Sequence, residues 1–154
     1  GFTRVQPVEE QLCWEGISIQ RTVGQHGSGK MLELTGQVSG FVLAADTEPT
    51  VYWAGDTIWY EGAEEVLQRH APDVVITHSG GAAMPGFPPI IMDVEQTLAA
   101  MHAAPQATFV AVHMESLDHC PVRRAQLREL VTSAGFPARR LHIPADGESL
   151  SIDC

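Results

Sequence analysis

The chain has 154 residues, 44% of them hydrophobic, which suits one domain with enough apolar material for a core. Nine Lys and Arg residues against 19 Asp and Glu residues give a formal net charge of −10, which argues against a nucleic-acid partner because such binding usually requires a basic patch. No apolar run is long enough to span a bilayer, and three cysteines without C-x-x-C spacing disfavour a disulfide scaffold, so we expect a cytoplasmic protein without membrane spans.

The first third of the chain predicts strands joined by loops. Residues 17–22 alternate apolar and polar side chains, as a half-buried strand does. The glycine-rich residues 24–29 that follow, GQHGSG, predict a loop with unusual backbone angles. Residues 38–44 and 50–54 predict two more strands, and the turn-forming linker 46–49 between them indicates a hairpin.

Helices and strands alternate in the middle of the chain. A helix is predicted over residues 62–70, because apolar side chains recur there at i, i+3, i+4 and i+7. A buried strand is predicted over 74–77, followed by a Gly- and Pro-rich loop over 80–89. Asp93 resembles an N-cap with Gln96 three residues later, so a second helix is expected to begin there.

The last third continues this alternation. Residues 107–112 predict another buried strand, and Pro121 fits the first turn of a helix that ends at Gly135. Residues 141–143 and 150–152 are short apolar runs that predict closing strands. A hairpin region followed by alternating strands and helices predicts a mixed α/β layered domain.

Three polar residues stand after predicted strands or in a glycine-rich loop. They are His26 in GQHGSG, Asp56 in YWAGDT and His113 at the end of FVAVH. Imidazole nitrogens and carboxylate oxygens are the usual ligands of zinc and similar ions. Taken singly, each has an ordinary explanation: a loop histidine, a helix N-cap and a satisfied buried histidine. Spacing alone leaves open whether the three converge on one ion.

The ordered series resembles the second half of the metallo-β-lactamase superfamily. The segment VSGFVLAADTEPTVYWAGDTIWY is similar to a hairpin that ends in the superfamily's Gly-Asp-Thr element. TVGQHGSG resembles its third metal motif, a lone histidine in a loop, and ATFVAVHMESLDH resembles the fifth, a histidine that ends a buried strand. The likeness covers residues 17–119 and is closest to lactonase-like hydrolases such as the ascorbate-6-phosphate lactonases.

This resemblance implies an αββα sandwich and a site with two divalent ions, zinc by default with manganese or iron as replacements. His26 would complete the histidine set of the first ion, Asp56 would bridge both ions, and His113 would bind the second. Asp56 and His113 are therefore also the expected catalytic residues. Hydroxide held by the ions would attack an ester, lactone, amide or phosphoester bond of a small-molecule substrate.

Three further residues are predicted substrate contacts. His78 ends the strand VVITH, His119 follows His113 by six residues, and Trp59 follows the Gly-Asp-Thr element. Each has an alternative: His78 as a residue behind the site or a bystander, His119 as a helix-entry residue, and Trp59 as part of the core.

One signature of the superfamily is missing. Its leading motif, His-x-His-x-Asp-His, supplies most of the metal ligands, yet this sequence contains no His-x-His. We therefore expect residues 1–154 to be a single domain that forms the C-terminal half of the fold, with the N-terminal half as a partner outside this chain. The alternative is a truncated or non-catalytic fragment that acts as a binding or assembly module, and a homo-oligomer that covers the exposed sheet face is a further expectation.

Overall fold

A seven-stranded sheet forms the centre of the computed structural model, which describes residues 1–115 and 117–152. The strands are β1 (Gln11–Trp14), β2 (Ile17–Gly24), β3 (Val38–Ala44), β4 (Val51–Trp53), β5 (Val74–His78), β6 (Thr108–Val112) and β7 (Leu141–His142). The helices are α1 (Lys30–Thr35), α2 (Glu61–His70), α3 (Val94–Ala103) and α4 (Arg124–Ser133), followed by a short 3-10 helix at Ala138–Arg140. None of these helices is long and apolar enough to cross a membrane.

The strands lie side by side in chain order, and their pairing changes once, from antiparallel to parallel. β1 to β4 pair antiparallel, and the predicted hairpin of β3 and β4 is confirmed. β4 to β7 pair parallel. Parallel neighbours require crossover connections, and α2, α3 and α4 supply them. The carboxyl ends of β4, β5 and β6 therefore meet at one edge of the sheet.

The core lies between the sheet and these three helices. Tyr52, Val75 and Phe109 occupy one row across β4, β5 and β6, and each is at most 2% exposed. Leu67 of α2 and Leu127 of α4 belong to the same buried cluster. The mixed α/β class predicted from the sequence is confirmed.

The same strands present a second apolar row on the opposite face of the sheet. Phe41, Trp53, Ile76 and Val110 are register partners in this row. Trp53 is 44% exposed, and Phe41 and Ile76 are only partly buried. We call this side the open face, because its side chains are less buried than those beneath the helices.

The start of the last helix was predicted wrongly. Pro121 lies before α4, which begins at Arg124. The N-cap residue Arg123 makes no capping hydrogen bond through its side chain. Instead, Oε1 of Glu115 accepts the Arg124 backbone N–H at 2.8 Å, so a distant carboxylate rather than proline chemistry determines where the helix begins.

Two further expectations need correction. Residues 150–152 form no strand, since a ladder needs partners and the outermost strand, β7, is only two residues long. The spacing of Leu127, Leu130, Val131 and Ala134 predicts one apolar stripe on this helix, but Leu130 is 40% exposed, and the buried residues of α4 are Leu127 and Val131. The sequence patterns did not predict β1 or α1.

Cys13 and Cys120 are free thiols, whereas Cys154 lies outside the described residues.

We predict that Arg140→Ala lowers the free energy of unfolding by about 1.5–3 kcal/mol, the usual contribution of hydrogen bonds to a charged group. The Arg140 guanidinium donates to four carbonyl oxygens at distances of 2.6 to 3.1 Å. One belongs to Met101 in the last turn of α3, and the others belong to Ala104, Pro105 and Ala107, which follow the helix. Carbonyls at a helix end otherwise lack partners. Urea denaturation measures the change, with the exposed neighbour Arg139→Ala as the matched control. Equal effects of the two substitutions would contradict the prediction.

Candidate metal centre

Three side chains converge where β4, β5 and β6 end. Asp56 follows β4, His78 is the last residue of β5, and His113 follows β6. One potential ligand atom from each lies within 4.8 Å of the other two. The parallel pairing of the three strands brings these residues together, although they are far apart in sequence.

The Asp56 carboxylate lies between the two rings. Its Oδ1 is 2.6 Å from Nδ1 of His78 and 3.9 Å from Nε2 of His113. The first distance is a short hydrogen bond and the second is too long for one. The ring centroids of His78 and His113 are 5.0 Å apart. The cluster thus brings one carboxylate and two imidazoles close together.

Gly55 places Asp56 after its strand. Its φ is +69°, and a Cβ there would lie 2.6 Å from the Ser39 carbonyl oxygen, so a side chain fits neither the conformation nor the space. This requirement explains the glycine of the Gly-Asp-Thr segment.

The threonine of that segment attaches the His26 loop to the site. Thr57 is 1% exposed, and its Oγ1 accepts the Gln25 backbone N–H at 2.9 Å. The Ile58 backbone N–H donates in turn to the Gln25 carbonyl at 2.8 Å. The His26 carbonyl accepts the Thr35 hydroxyl of α1 at 2.8 Å. The loop that carries His26 is therefore held on both sides.

His113 has a strained backbone in a confined space. Its φ is +56°, a conformation that costs free energy for a residue with a side chain. A Cβ on Gly80 would lie 2.1 Å from the His113 carbonyl, so only glycine permits this approach. Two residues on, Glu115 also has positive φ and pairs with Arg124 at 2.7 Å. The surrounding contacts thus hold His113 in its conformation.

The electrostatics favour an ionised carboxylate and neutral imidazole. The hydrogen bond from His78 is the main cause that lowers the pKa of Asp56; burial opposes it, and the charges of His78, His113 and His26 assist. Burial chiefly lowers the pKa of His26, with Asp56 opposing and His113 and His78 assisting. His26 does not belong to the group of donor atoms that lie within 4.8 Å of one another, which comprises Asp56, His78 and His113, so its role as a ligand stays a prediction.

The remaining predicted site residues lie in different surroundings. Trp59 packs against the hydrophobic core, and its backbone N–H donates to Gln96 at 2.8 Å. His119 is exposed, and its carbonyl accepts the Ala83 N–H at 3.1 Å. Neither observation tests a contact with substrate, so both roles stay predictions. Sequence reasoning missed Trp53, whose indole Nε1 lies 3.1 Å from Nε2 of His78.

With this geometry established, comparison with known proteins identifies the family. Residues 3–114 match the model of the beta-lactamase superfamily domain. The chain belongs to the metallo-β-lactamase superfamily. The UPF0173 protein YddR of Bacillus subtilis is 34% identical over 153 residues, which are 99% of this chain and 60% of that protein.

Two solved structures of this superfamily fold are also similar. The isothiocyanate hydrolase from Delia radicum gut bacteria superimposes with a TM-score of 0.90 and 37% identity, over 99% of this chain and 61% of that one. A possible metal-dependent hydrolase from Veillonella parvula does so with a TM-score of 0.91 and 33% identity, over 96% and 59%. This chain thus spans about 60% of the length of these metallo-β-lactamase relatives.

The side chains of Asp56, His78 and His113 have the chemistry that fits a divalent ion. Carboxylate oxygen and imidazole nitrogen are the donors that zinc and similar borderline ions prefer. A ligand must present a free lone pair, so ions require an ionised carboxylate and neutral imidazoles. The lowered pKa values of Asp56 and His26 favour these forms at neutral pH.

We predict that His26 of the metal-free protein titrates below 6.5, its ordinary value. Between the lower native pKa and 6.5 the unfolded chain binds more protons at this residue than the native chain. The contribution of neutral His26 to stability is therefore fully present above 6.5 and is lost as the pH falls through the native pKa. An NMR titration of the His26 ring measures the midpoint.

Asp56→Asn provides the matched comparison. The Asp56 charge is the neighbour that raises the pKa of His26. Its removal is expected to move the His26 midpoint further down. An upward shift in this variant would contradict the electrostatic account.

Proposed function

We propose that the protein containing this chain is a metal-dependent hydrolase of small molecules that uses two divalent ions, zinc by default. The observation that carries the proposal is the convergence of the ionised Asp56 carboxylate with His113 and His78 at the ends of three parallel strands. The similarity to relatives described as hydrolases supports the same class. We retain His26, Asp56 and His113 as the residues that would hold these ions.

The residues of this chain have distinct tasks in such a reaction. Asp56 supplies negative charge that offsets two nearby cations, and His113 and His26 supply neutral nitrogen donors. Ions bound there supply a more acidic water and stabilise negative charge on the attacked group. Thr57 and Gly55 hold the carboxylate and the His26 loop in register. Such preorganisation lowers the barrier because few groups reorient during the reaction.

The bond that is cleaved belongs to an ester, lactone, amide or phosphoester in our proposal. An isothiocyanate is a further candidate, because one similar structure is an isothiocyanate hydrolase with 37% identity. Its central carbon is electrophilic, as a carbonyl carbon is, so the same site chemistry applies. Hydrolysis assays with one compound of each class separate these options.

We also propose that the remainder of a longer protein covers the open face. Phe41, Trp53 and Ile76 form an apolar row there, and soluble monomers rarely leave large apolar patches in water. Alternatively, two copies of the 154-residue chain associate and cover the open face of each other. Light scattering after size-exclusion chromatography distinguishes them, since a clean monomer excludes self-association.

We predict that the full-length protein purifies with divalent metal or takes up zinc or manganese. Asp56→Ala is expected to weaken metal binding and hydrolysis by more than about 100-fold, beyond the usual effect of residues that only orient ligands. Elemental analysis, metal competition and hydrolysis assays measure these losses.

His102→Gln is the matched control. His102 is an exposed histidine near the end of α3, which leads back to the opposite edge of the sheet. It should retain both metal and activity. A wild-type protein that remains metal-free in zinc and manganese contradicts the proposal, and one that binds metal without hydrolysing any tested bond favours a binding or assembly module.

A further inference from the structure

His78 makes a hydrogen bond through each of its ring nitrogens. On one side, Nδ1 lies 2.6 Å from Oδ1 of Asp56. On the other, Nε2 lies 3.1 Å from the indole Nε1 of Trp53. The two partners are of opposite kinds, since a carboxylate oxygen accepts and an indole N–H donates.

These partners select one tautomer of the ring. Because the indole N–H can only donate, Nε2 of His78 must offer its lone pair. The proton of the neutral ring then lies on Nδ1 and is donated to Asp56. The other neutral tautomer would direct two N–H groups at each other and a lone pair at a carboxylate oxygen. Both hydrogen bonds would be lost.

That tautomer leaves no nitrogen of His78 free for an ion. A metal ligand must present a lone pair, but Nδ1 carries the proton and the lone pair of Nε2 is taken by Trp53. His78 is also the least accessible member of the cluster: its side chain is 14% exposed, against 29% for His113 and 38% for Asp56. An ion that arrives from solvent meets Asp56 and His113 first.

We propose that His78 is a positioning residue rather than a metal ligand, and that Trp53 and His78 together orient the Asp56 carboxylate. Among the described residues, His78 is the hydrogen-bond partner of that carboxylate. The bond occupies one site on Oδ1, so the other lone pairs of the carboxylate stay available. The statement that His78 is not a metal ligand rests on the proposed function, whereas the assignment of its tautomer does not. This role differs from the substrate contact predicted for His78 from its sequence position.

The tautomer is tested in the metal-free protein. Nitrogen-15 NMR of the His78 ring distinguishes a protonated from an unprotonated nitrogen. We expect a proton on Nδ1 and none on Nε2, and a weaker preference in Trp53→Phe, which keeps an aromatic ring but removes the donor. A proton on Nε2 in the wild type would overturn the inference.

The role toward the ion is tested with two substitutions of His78. His78→Asn retains an N–H donor close to the position of Nδ1 but has no imidazole, whereas His78→Ala retains neither. We expect His78→Asn to keep zinc affinity within a few-fold of wild type, and His78→Ala to lose about 10- to 100-fold, as when a residue that orients a ligand is removed. In cobalt-loaded protein the visible spectrum of His78→Asn should match that of wild type.

Other outcomes have clear meanings. If His78→Asn and His78→Ala lose affinity equally and the cobalt spectrum of His78→Asn changes, His78 is a ligand and the inference is wrong. If His78→Ala fails to fold by circular dichroism, Trp53→Phe replaces it, with an expected loss of zinc affinity, and an unchanged affinity counts against the inference. A wild type that binds no metal contradicts the proposed function, while the NMR result still decides the tautomer.

Discussion

The parallel pairing of β4 with β5 is the constraint on which the site depends. Before this pair the strands run antiparallel, so their ends alternate between the two edges of the sheet. After it, successive strands end at the same edge. Asp56, His78 and His113 each follow or end one of these strands, so the change from antiparallel to parallel pairing brings their side chains together. A helix between each pair of strands is the physical requirement for this arrangement, and those helices also build the core.

Several positions with a strained or sterically restricted backbone lie near that edge, whereas Glu15, Thr47 and Ala71, which also have positive φ, lie elsewhere. His113 and Glu115 have positive φ, and Gly55 and Gly80 stand where a Cβ would meet backbone. Such conformations persist only where surrounding contacts outweigh their cost. Buried Met114, between the two strained residues, and the Glu115 to Arg124 ion pair provide such contacts. Glu115 also accepts the backbone N–H of Arg124, the first residue of α4. The helix that packs against the core is therefore tied to the segment that follows His113.

The sequence predicted the start of α3 correctly but not the start of α4, and the two helices differ in how far away their capping group lies. The Asp93 N-cap was predictable because donor and acceptor lie three residues apart, and the hydrogen bond from the Gln96 N–H is present at 2.9 Å. The start of α4 was not, because Glu115 reaches it from nine residues away across a loop. Asp56 and His113 were candidate ligands from their motifs, and the structure brings them together, but their role as ligands stays a prediction. The place of His78 in the cluster depends on strand register, which spacing along the chain does not encode.

Trp53 connects the open face to the candidate metal centre. It belongs to the apolar row with Phe41 and Ile76, and it also donates to His78. Trp53 is 44% exposed, so water competes with His78 as the acceptor for its indole N–H. Any segment that covers the open face removes this water, and a hydrogen bond strengthens in a less polar environment. Burial of this apolar row would therefore favour a single tautomer of His78 and a single orientation of Asp56.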